Sequence, residues 1–151
     1  MPADHHRWMR RAGELAARCP ESMSAFAVGA VIVGADGLVL AEGYSRDDDP
    51  FVHAEESALR KVEGDHRLAA ATLYTTLEPC TKRASRPETT CTGLIIAARI
   101  PRVVIAWREP DIFVTCEGIA RLTAAGVDVL ELPEFAPTAR AANAHLYPPP
   151  G

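Results

Sequence analysis

The stretch Thr72-Leu73-Tyr74-Thr75-Thr76-Leu77-Glu78-Pro79-Cys80 combines a strand pattern with a loop that carries a cysteine. Residues 71–77 are mostly apolar or β-branched, so they predict a strand that ends near Leu77. Cys80 follows at the carboxyl end of that strand, the edge at which α/β sheets collect their functional groups. The stretch therefore predicts one strand of an α/β sheet with a reactive side chain just beyond it.

Strand and helix patterns alternate on both sides of this stretch. Upstream, apolar residues at helical spacing predict a first helix, and two apolar segments joined by Ala35-Asp36-Gly37 predict a hairpin. Each later strand pattern is preceded by a helical one, so these strands are expected to be parallel. The predicted fold class is α/β: a three-layer α/β/α sandwich around a five-stranded mixed sheet whose last strands are parallel. The predicted helices cover 4–18, 53–62, 91–98 and 116–125, and the predicted strands cover 28–34, 38–43, 71–77, 102–107 and 127–132.

The chain of 151 residues is long enough for one domain with a buried core and short for two. We expect residues 1–151 to form a single domain, in which the proline-rich tail at 133–151 is an irregular surface strap. No apolar run has the length of a membrane span, and the N-terminal stretch lacks a continuous apolar signal region. We therefore expect a cytoplasmic protein without a membrane partner.

The formal net charge of the chain is −4 at pH 7. Proteins that hold long nucleic acids through phosphate contacts normally carry a basic surface field, which this composition does not provide. We therefore expect a small molecule as the partner and do not expect nucleic acid to bind.

One histidine, one glutamate and two cysteines form the strongest chemical motif. His53-Ala54-Glu55 begins a predicted helix, Cys80 follows a predicted strand, and Cys91 begins the next predicted helix. One imidazole and two thiolates supply three zinc ligands and leave a fourth position open, as in catalytic zinc sites. Glu55 is the candidate catalytic residue, because a carboxyl group beside such a site can move protons of an activated water. A structural zinc would need a fourth protein ligand, for which Cys116 is the plausible thiolate.

Residues 28–132 resemble the cytidine deaminase-like superfamily of zinc-dependent deaminases. The resemblance rests on His53-Ala54-Glu55, on the strand and loop at 72–80, and on the segment at 100–106 followed by Glu109-Pro110. Members usually place two residues between the thiolates, whereas ten separate Cys80 from Cys91 here. This enlarged gap is most similar to that of the riboflavin-pathway pyrimidine deaminases. The resemblance implies Zn²⁺ as cofactor, proton transfer by Glu55, a parallel final strand and a homodimer or higher oligomer packed through helices near the zinc site.

Position 25 departs from this family pattern. The riboflavin-pathway, purine and tRNA branches carry there an asparagine that contacts the substrate, whereas this chain has Ala25. The only asparagine in the chain is Asn143. Because alanine offers neither a carbonyl nor an amide group, the contact has to be made otherwise or not at all. This favours a small free base or an unusual substrate over an ordinary nucleoside.

Five further residues are candidate substrate contacts, and each has a simpler alternative. Phe26 is expected either to stack on a substrate ring or to fill the core. Lys82 and Arg86, between the two cysteines, would hold a phosphate or serve as solvated surface charge. Trp107 would form a wall of the pocket and Glu109 would accept a hydrogen bond from an amino group; otherwise they are a packed indole and an exposed carboxylate at a strand end.

The sequence thus predicts a zinc-dependent aminohydrolase that releases ammonia from an amino-substituted pyrimidine-type base, nucleoside or nucleotide. The substrate ring would be cytosine-like or a riboflavin-pathway pyrimidine. A guanine, purine or triazine deaminase is the alternative within enzymes, since guanine deaminases share the motif. A zinc-stabilised interaction domain is the non-enzymatic alternative, which the presence of Glu55 disfavours because a structural zinc does not need a carboxylate that is not a ligand.

Overall fold

A five-stranded mixed sheet lies at the centre of the molecule. The computed structural model describes residues 4–22, 25–81, 89–108 and 117–146. The strands in these ranges are β1 (Gly29–Val33), β2 (Val39–Tyr44), β3 (Thr72–Leu77), β4 (Arg102–Trp107) and β5 (Asp128–Glu131). The α-helices are α1 (His5–Ala16), α2 (Ala54–Lys61), α3 (Cys91–Ala98), α4 (Gly118–Ala124) and α5 (Ala136–Ala141). Short 3-10 helices cover His66–Ala70, Pro133–Phe135 and Ala144–Leu146. Within the described ranges, no helix has both the length and the apolar character needed to cross a membrane.

The strand order is β2-β1-β3-β4-β5. Strand β1 pairs antiparallel with both β2 and β3, whereas β3, β4 and β5 pair in parallel. A parallel pair requires a crossover connection, and helices α3 and α4 lie in the connections that precede β4 and β5. The predicted mixed sheet with parallel last strands is therefore confirmed.

Side chains from successive strand positions pack on opposite faces of the sheet, which produces the three layers. Ile32 belongs to a core cluster that includes residues of α2, α3 and α4. Its neighbour Val31 belongs to a second cluster that includes residues of α1, together with the central Tyr74. The sheet thus has α2, α3 and α4 on one face and α1 on the other.

The start of α2 packs closely against the backbone of β2. Gly43 of β2 lies against the first turn of α2, where a side chain would collide with the backbone carbonyl oxygen of Ala54. The absence of a side chain at position 43 therefore lets the helix start pack directly on the sheet. His53, the residue before α2, therefore lies next to this contact between the helix start and β2.

The C-terminal segment differs from the predicted irregular strap. Its described part contains α5, and Ala136, Ala139 and Asn143 are buried. Alanine has the highest helix propensity, and Pro137 sits in the first turn of α5, where proline is tolerated. The expectation of an irregular strap was based on the prolines, whereas the alanines around them favour a helix.

Candidate active site

The start of α2 presents His53 to the interior. His53 is the N-cap residue of this helix and has an extended backbone conformation. Its backbone N–H donates to Oε1 of Glu56 at 3.3 Å, and Arg60 donates to Oε2 of the same carboxylate at 3.2 Å. This capping interaction leaves the imidazole free to point towards the two cysteines.

Cys80 lies in a loop held by the two helices that follow it. The backbone carbonyl of Pro79 accepts a hydrogen bond from the Thr92 hydroxyl at 3.1 Å. On the other side, Glu78 accepts from the backbone N–H of Ile119 at 2.9 Å, which caps the start of α4. The loop is therefore fixed to both α3 and α4.

Cys91 is the first residue of α3 and lies directly beside Cys80. The backbone N–H of Cys91 donates to Sγ of Cys80 at 3.3 Å, and that of Thr92 donates to the Cys80 carbonyl at 3.1 Å. Thr90 caps the helix by accepting from Gly93 at 3.1 Å. The ten residues between the cysteines thus do not separate the thiols in space, because α3 begins next to the loop that carries Cys80.

Three donor atoms converge in a geometry that suits zinc. Nδ1 of His53 lies 3.3 Å from Sγ of Cys91 and 3.7 Å from Sγ of Cys80. Zinc–sulfur and zinc–nitrogen bonds of ordinary length place tetrahedral ligand atoms about 3.5–3.8 Å apart. The residues therefore fit the metal that the motif predicts. In the described part of the chain, this is the one group of three or more such side chains close enough to share an ion.

The two thiols of this group are hydrogen-bonded to each other, and their pKa values shift in opposite directions. Their mutual hydrogen bond lowers the pKa of Cys80, with a further contribution from the His53 imidazole. The same hydrogen bond, together with burial, raises the pKa of Cys91. One thiol therefore ionises readily, whereas the second keeps its proton until a cation takes the proton's place.

Glu55 is buried beside the three donor atoms. Its side chain is 4% exposed and interacts electrostatically with His53 and Cys80. Burial raises the pKa of this carboxyl group, and the neighbouring imidazole opposes the shift. Oε1 lies 3.2 Å from the hydroxyl of Thr75 in β3, a residue that the sequence analysis did not single out. The signal available in the sequence was a hydroxyl side chain in the middle of a strand predicted to be buried.

Two of the five candidate substrate contacts lie in the described ranges, and they touch each other. The rings of Phe26 and Trp107 meet edge to face, with centroids 5.9 Å apart and planes at 83°. Phe26 is buried and Trp107 is half-buried. Contact with a substrate stays a prediction for both. Lys82, Arg86 and Glu109 lie outside the described residues, as does Cys116.

Asn143 holds the segment before β1 and does not replace the missing side chain at position 25. Its Oδ1 accepts from the backbone N–H of Ala27 at 2.6 Å, and its Nδ2 donates to the carbonyls of Ala27 and Ala139, each at 3.0 Å. The amide group is therefore engaged with the main chain, and the side chain is buried. This role is not predictable from the sequence, because the contact joins residues 116 positions apart.

Other side chains hold the same segment. The Arg46 guanidinium donates to the carbonyls of Phe26 and Pro20, and the Ser45 hydroxyl accepts from the N–H of Val28 at 3.0 Å. His145, near the end of the described chain, pairs with the carbonyl of Ser22 at 2.8 Å. Pro20, Ser22 and residues 26–28 are thus held by other parts of the chain.

Comparisons with known proteins agree with this geometry. A family model described as "Cytidine and deoxycytidylate deaminase zinc-binding region" matches residues 2–107. The diaminohydroxyphosphoribosylamino-pyrimidine deaminase of Schizosaccharomyces pombe is 42% identical over 133 residues, which are 86% of this chain and 32% of that protein. The riboflavin biosynthesis protein RibD of Escherichia coli is 42% identical over 103 residues, or 68% of this chain and 26% of that protein.

A solved structure of RibD from Acinetobacter baumannii superposes with a TM-score of 0.77 at 30% identity, covering 94% of this chain and 38% of that one. The chain thus spans less than two fifths of the length of each of these relatives. The family match covers well over half of the chain and includes His53, Glu55, Cys80 and Cys91. The chain therefore belongs to the family of cytidine and deoxycytidylate deaminases, whose zinc-binding region it contains.

Proposed function

We propose that this chain is a zinc-dependent hydrolytic deaminase that releases ammonia from an amino-substituted pyrimidine. One observation carries the proposal: Nδ1 of His53 and the sulfurs of Cys80 and Cys91 converge beside a buried carboxyl group. Glu55 is not one of the three grouped donors, so it is available for proton transfer. A zinc-stabilised interaction domain would gain nothing from that carboxyl group, and its burial would only cost stability.

Zinc held by His53, Cys80 and Cys91 would supply a Lewis acid that activates water at neutral pH. Glu55 takes the proton of the attacking water on its carboxyl group and passes it to the ring nitrogen beside the attacked carbon. A second proton transfer through Glu55 lets the amino group leave as ammonia, and a carbonyl group takes its place. Proton transfer of this kind contributes about 10²- to 10⁴-fold to the rate.

The proposed substrate is a pyrimidine of the type named for the fission yeast relative, a diamino-hydroxy-pyrimidine that carries a phosphoribosylamino group. The support is the 42% identity to that relative over 86% of this chain. We propose that Phe26 and Trp107 form an aromatic wall for the ring. Lys82 and Arg86 are proposed to hold the phosphate, and Glu109 to accept a hydrogen bond from a ring amino group.

A guanine, purine or triazine deaminase is the second candidate. Ala25 weakens the assignment to the riboflavin-pathway branch, because that branch carries a substrate-contacting asparagine at this position and Asn143 is engaged elsewhere. A site without this contact would select its substrate mainly by ring shape. The two candidates differ in the substrate that they predict and agree on the zinc ligands and on Glu55.

Ammonia release from a substrate panel tests the function. The panel contains the phosphoribosylamino-pyrimidine, its free base, cytosine, cytidine, guanine and an aminotriazine, each with zinc-loaded full chain. We expect release from the phosphoribosylamino-pyrimidine. The variant Glu55→Gln should lose it, and Glu63→Gln, a change at an exposed position, should not. Release from guanine or the triazine alone would favour the second candidate, and no release from any compound would contradict the proposal.

We propose a homodimer in the cytoplasm, packed through α3. This helix contains no charged residue, and Ile96 is 37% exposed on its outer side next to exposed Ala97. A helix without charges is unusual on a free surface, since amphipathic surface helices carry polar residues on the side away from the core. Light scattering should therefore give twice the chain mass, and Ile96→Glu should give the monomer mass. A monomer at micromolar concentration for the unchanged chain would contradict the dimer.

A further inference from the structure

Thr75 lies beneath the proposed catalytic carboxyl group, at the centre of the sheet. Its backbone pairs with Ala30 on one side and with Ile105 on the other, so β3 cannot shift at this point without breaking two ladders. The side chain is completely buried. Threonine is β-branched and has restricted rotation about χ1, so its hydroxyl occupies a well-defined position.

The hydroxyl of Thr75 makes two hydrogen bonds. Oγ1 lies 3.2 Å from Oε1 of Glu55 and 3.1 Å from the backbone carbonyl of Leu77. A hydroxyl group can donate one hydrogen bond and accept others, whereas a carbonyl can only accept. Thr75 can therefore donate to a Glu55 carboxylate, or accept from a Glu55 carboxylic acid while donating to Leu77. The hydroxyl is thus within hydrogen-bonding distance of the Glu55 carboxyl group whichever of the two donates.

Among the described residues, the side chain of Cys91 also hydrogen-bonds with Glu55. A cysteine that binds zinc does so as a thiolate, which has no proton to donate. Of these two side chains, Thr75 is then the one that can still donate to Glu55. Thr75 belongs to β3 at the centre of the sheet, whereas Glu55 belongs to the first turn of α2.

We propose that Thr75 is a positioning residue, whose hydroxyl holds the Glu55 carboxyl group in the orientation needed for proton transfer. This inference rests on the proposed deaminase function. A misplacement of a reacting group by about 1 Å can cost about 100-fold in rate. Loss of the hydroxyl should therefore lower kcat and leave substrate binding and zinc binding nearly unchanged.

Thr76 provides a matched control. It follows Thr75 in the same strand, is also buried, and its hydroxyl accepts a hydrogen bond from the backbone N–H of Gly29 at 3.2 Å. Thr76→Val thus removes a buried threonine hydroxyl that does not touch Glu55. A loss of stability shared by Thr75→Val and Thr76→Val would therefore result from the removal of a buried hydroxyl and not from the contact with Glu55.

The experiment compares zinc-loaded full-length Thr75→Val, Thr75→Ser, Thr76→Val and unchanged protein for kcat, KM and zinc content. We expect Thr75→Val to keep one zinc per chain and a KM within about 2-fold, with kcat lowered about 10- to 100-fold. Thr75→Ser restores the hydroxyl and should recover most of kcat, and Thr76→Val should keep it. If Thr75→Val does not fold, Thr75→Ala replaces it in the same comparison. A valine variant with unchanged kcat, or a serine variant as slow as valine, would overturn the inference.

A crystal structure of Thr75→Val with zinc supplies a readout that does not depend on activity. We expect the Glu55 carboxyl group to rotate away from its position in the unchanged protein, and an unmoved carboxyl group would overturn the inference. If the unchanged protein releases no ammonia from any compound of the panel, the proposed function fails and this structural readout alone decides the role of Thr75.

Discussion

The two sides of the candidate site are held in place by different parts of the chain. On the metal side, His53, Cys80 and Cys91 stand at helix starts or just beyond a strand, and hydrogen bonds from the nearby main chain fix them. On the aromatic side, the segment that carries Phe26 is fixed by side chains from distant positions, among them Asn143. The metal side is thus held by the helices and strand that carry it and by α4, whereas the aromatic side depends on the C-terminal segment of the fold. Changes on one side should therefore leave the function of the other largely intact.

The largest effect is expected from removal of a metal ligand. Cys80→Ser should abolish zinc binding at micromolar zinc and lower ammonia release more than 100-fold, because a neutral hydroxyl replaces a thiolate ligand. Zinc content by mass spectrometry and a thermal melt with and without zinc measure this. The zinc-dependent rise in Tm should vanish in the variant.

Cys19→Ser is the control for this change. The Cys19 thiol lies near the carbonyl of Val28 at 3.4 Å, and Cys19 is not among the grouped metal donors. The control should bind one zinc per chain. Equal zinc binding by Cys80→Ser and the unchanged protein would remove Cys80 from the ligand set.

The next effect concerns the C-terminal clamp on the aromatic side. Asn143→Leu leaves the backbone N–H and carbonyl of Ala27 without their buried partner, which costs about 1–3 kcal/mol of stability for each unpaired group. We expect a lower Tm and a KM raised several-fold, with one zinc still bound per chain. Chemical denaturation, zinc analysis and steady-state kinetics measure these three quantities. Loss of zinc in this variant, with the fold retained, would show that the two sides are not independent.

A smaller effect is expected at the aromatic pair itself. Trp107→Leu removes the edge-to-face contact with Phe26, and such contacts contribute about 0.5–1.5 kcal/mol. If the pair lines the pocket, KM should rise several-fold and the variant should bind zinc normally. Trp8→Leu, at the half-buried tryptophan of α1, is the matched control and should leave KM unchanged. Equal KM values for both variants would assign Trp107 to the core alone.

The smallest effect lies away from both sides, at the ion pair between Arg11 of α1 and Glu42 of β2. The hydrogen bond from Arg11 lowers the pKa of the Glu42 carboxyl group. A carboxyl group with a lowered folded-state pKa stabilises the fold above its unfolded pKa, and this contribution is lost as the pH falls through the folded value.

Glu42→Gln should therefore lower the free energy of unfolding by about 0.2–1 kcal/mol at pH 7. This loss should become smaller as the pH falls into the acid range. Urea unfolding at pH 7 and at pH 3 measures the difference. A cost that stays constant between these pH values would mean that the charge of Glu42 does not contribute.

The sequence predicted the parts of the molecule that depend on local patterns. Periodicity located the five strands and the first four α-helices, including α3 and β4 with the observed bounds. The donor group of His53, Cys80 and Cys91 was predictable because a His-x-Glu tripeptide followed by two cysteines is a zinc-binding pattern.

Contacts between distant residues could not be predicted in this way. Asn143 looked like an isolated polar residue in an irregular tail, yet it is buried and holds the main chain at Ala27. Thr75 looked like an ordinary strand residue, because its role depends on the side chain of Glu55 in α2 reaching the hydroxyl of Thr75 in β3. Both roles arise from tertiary packing, which neither periodicity nor motif spacing describes.

Zinc titration of the metal-free chain, followed by ammonia release at each zinc level, tests the central claim most directly. The account predicts that release from the phosphoribosylamino-pyrimidine rises in proportion to bound zinc and stops rising at one zinc per chain. It also predicts that Glu55→Gln binds the same amount of zinc and releases no ammonia. Release that is independent of zinc, or that persists in Glu55→Gln, would contradict it.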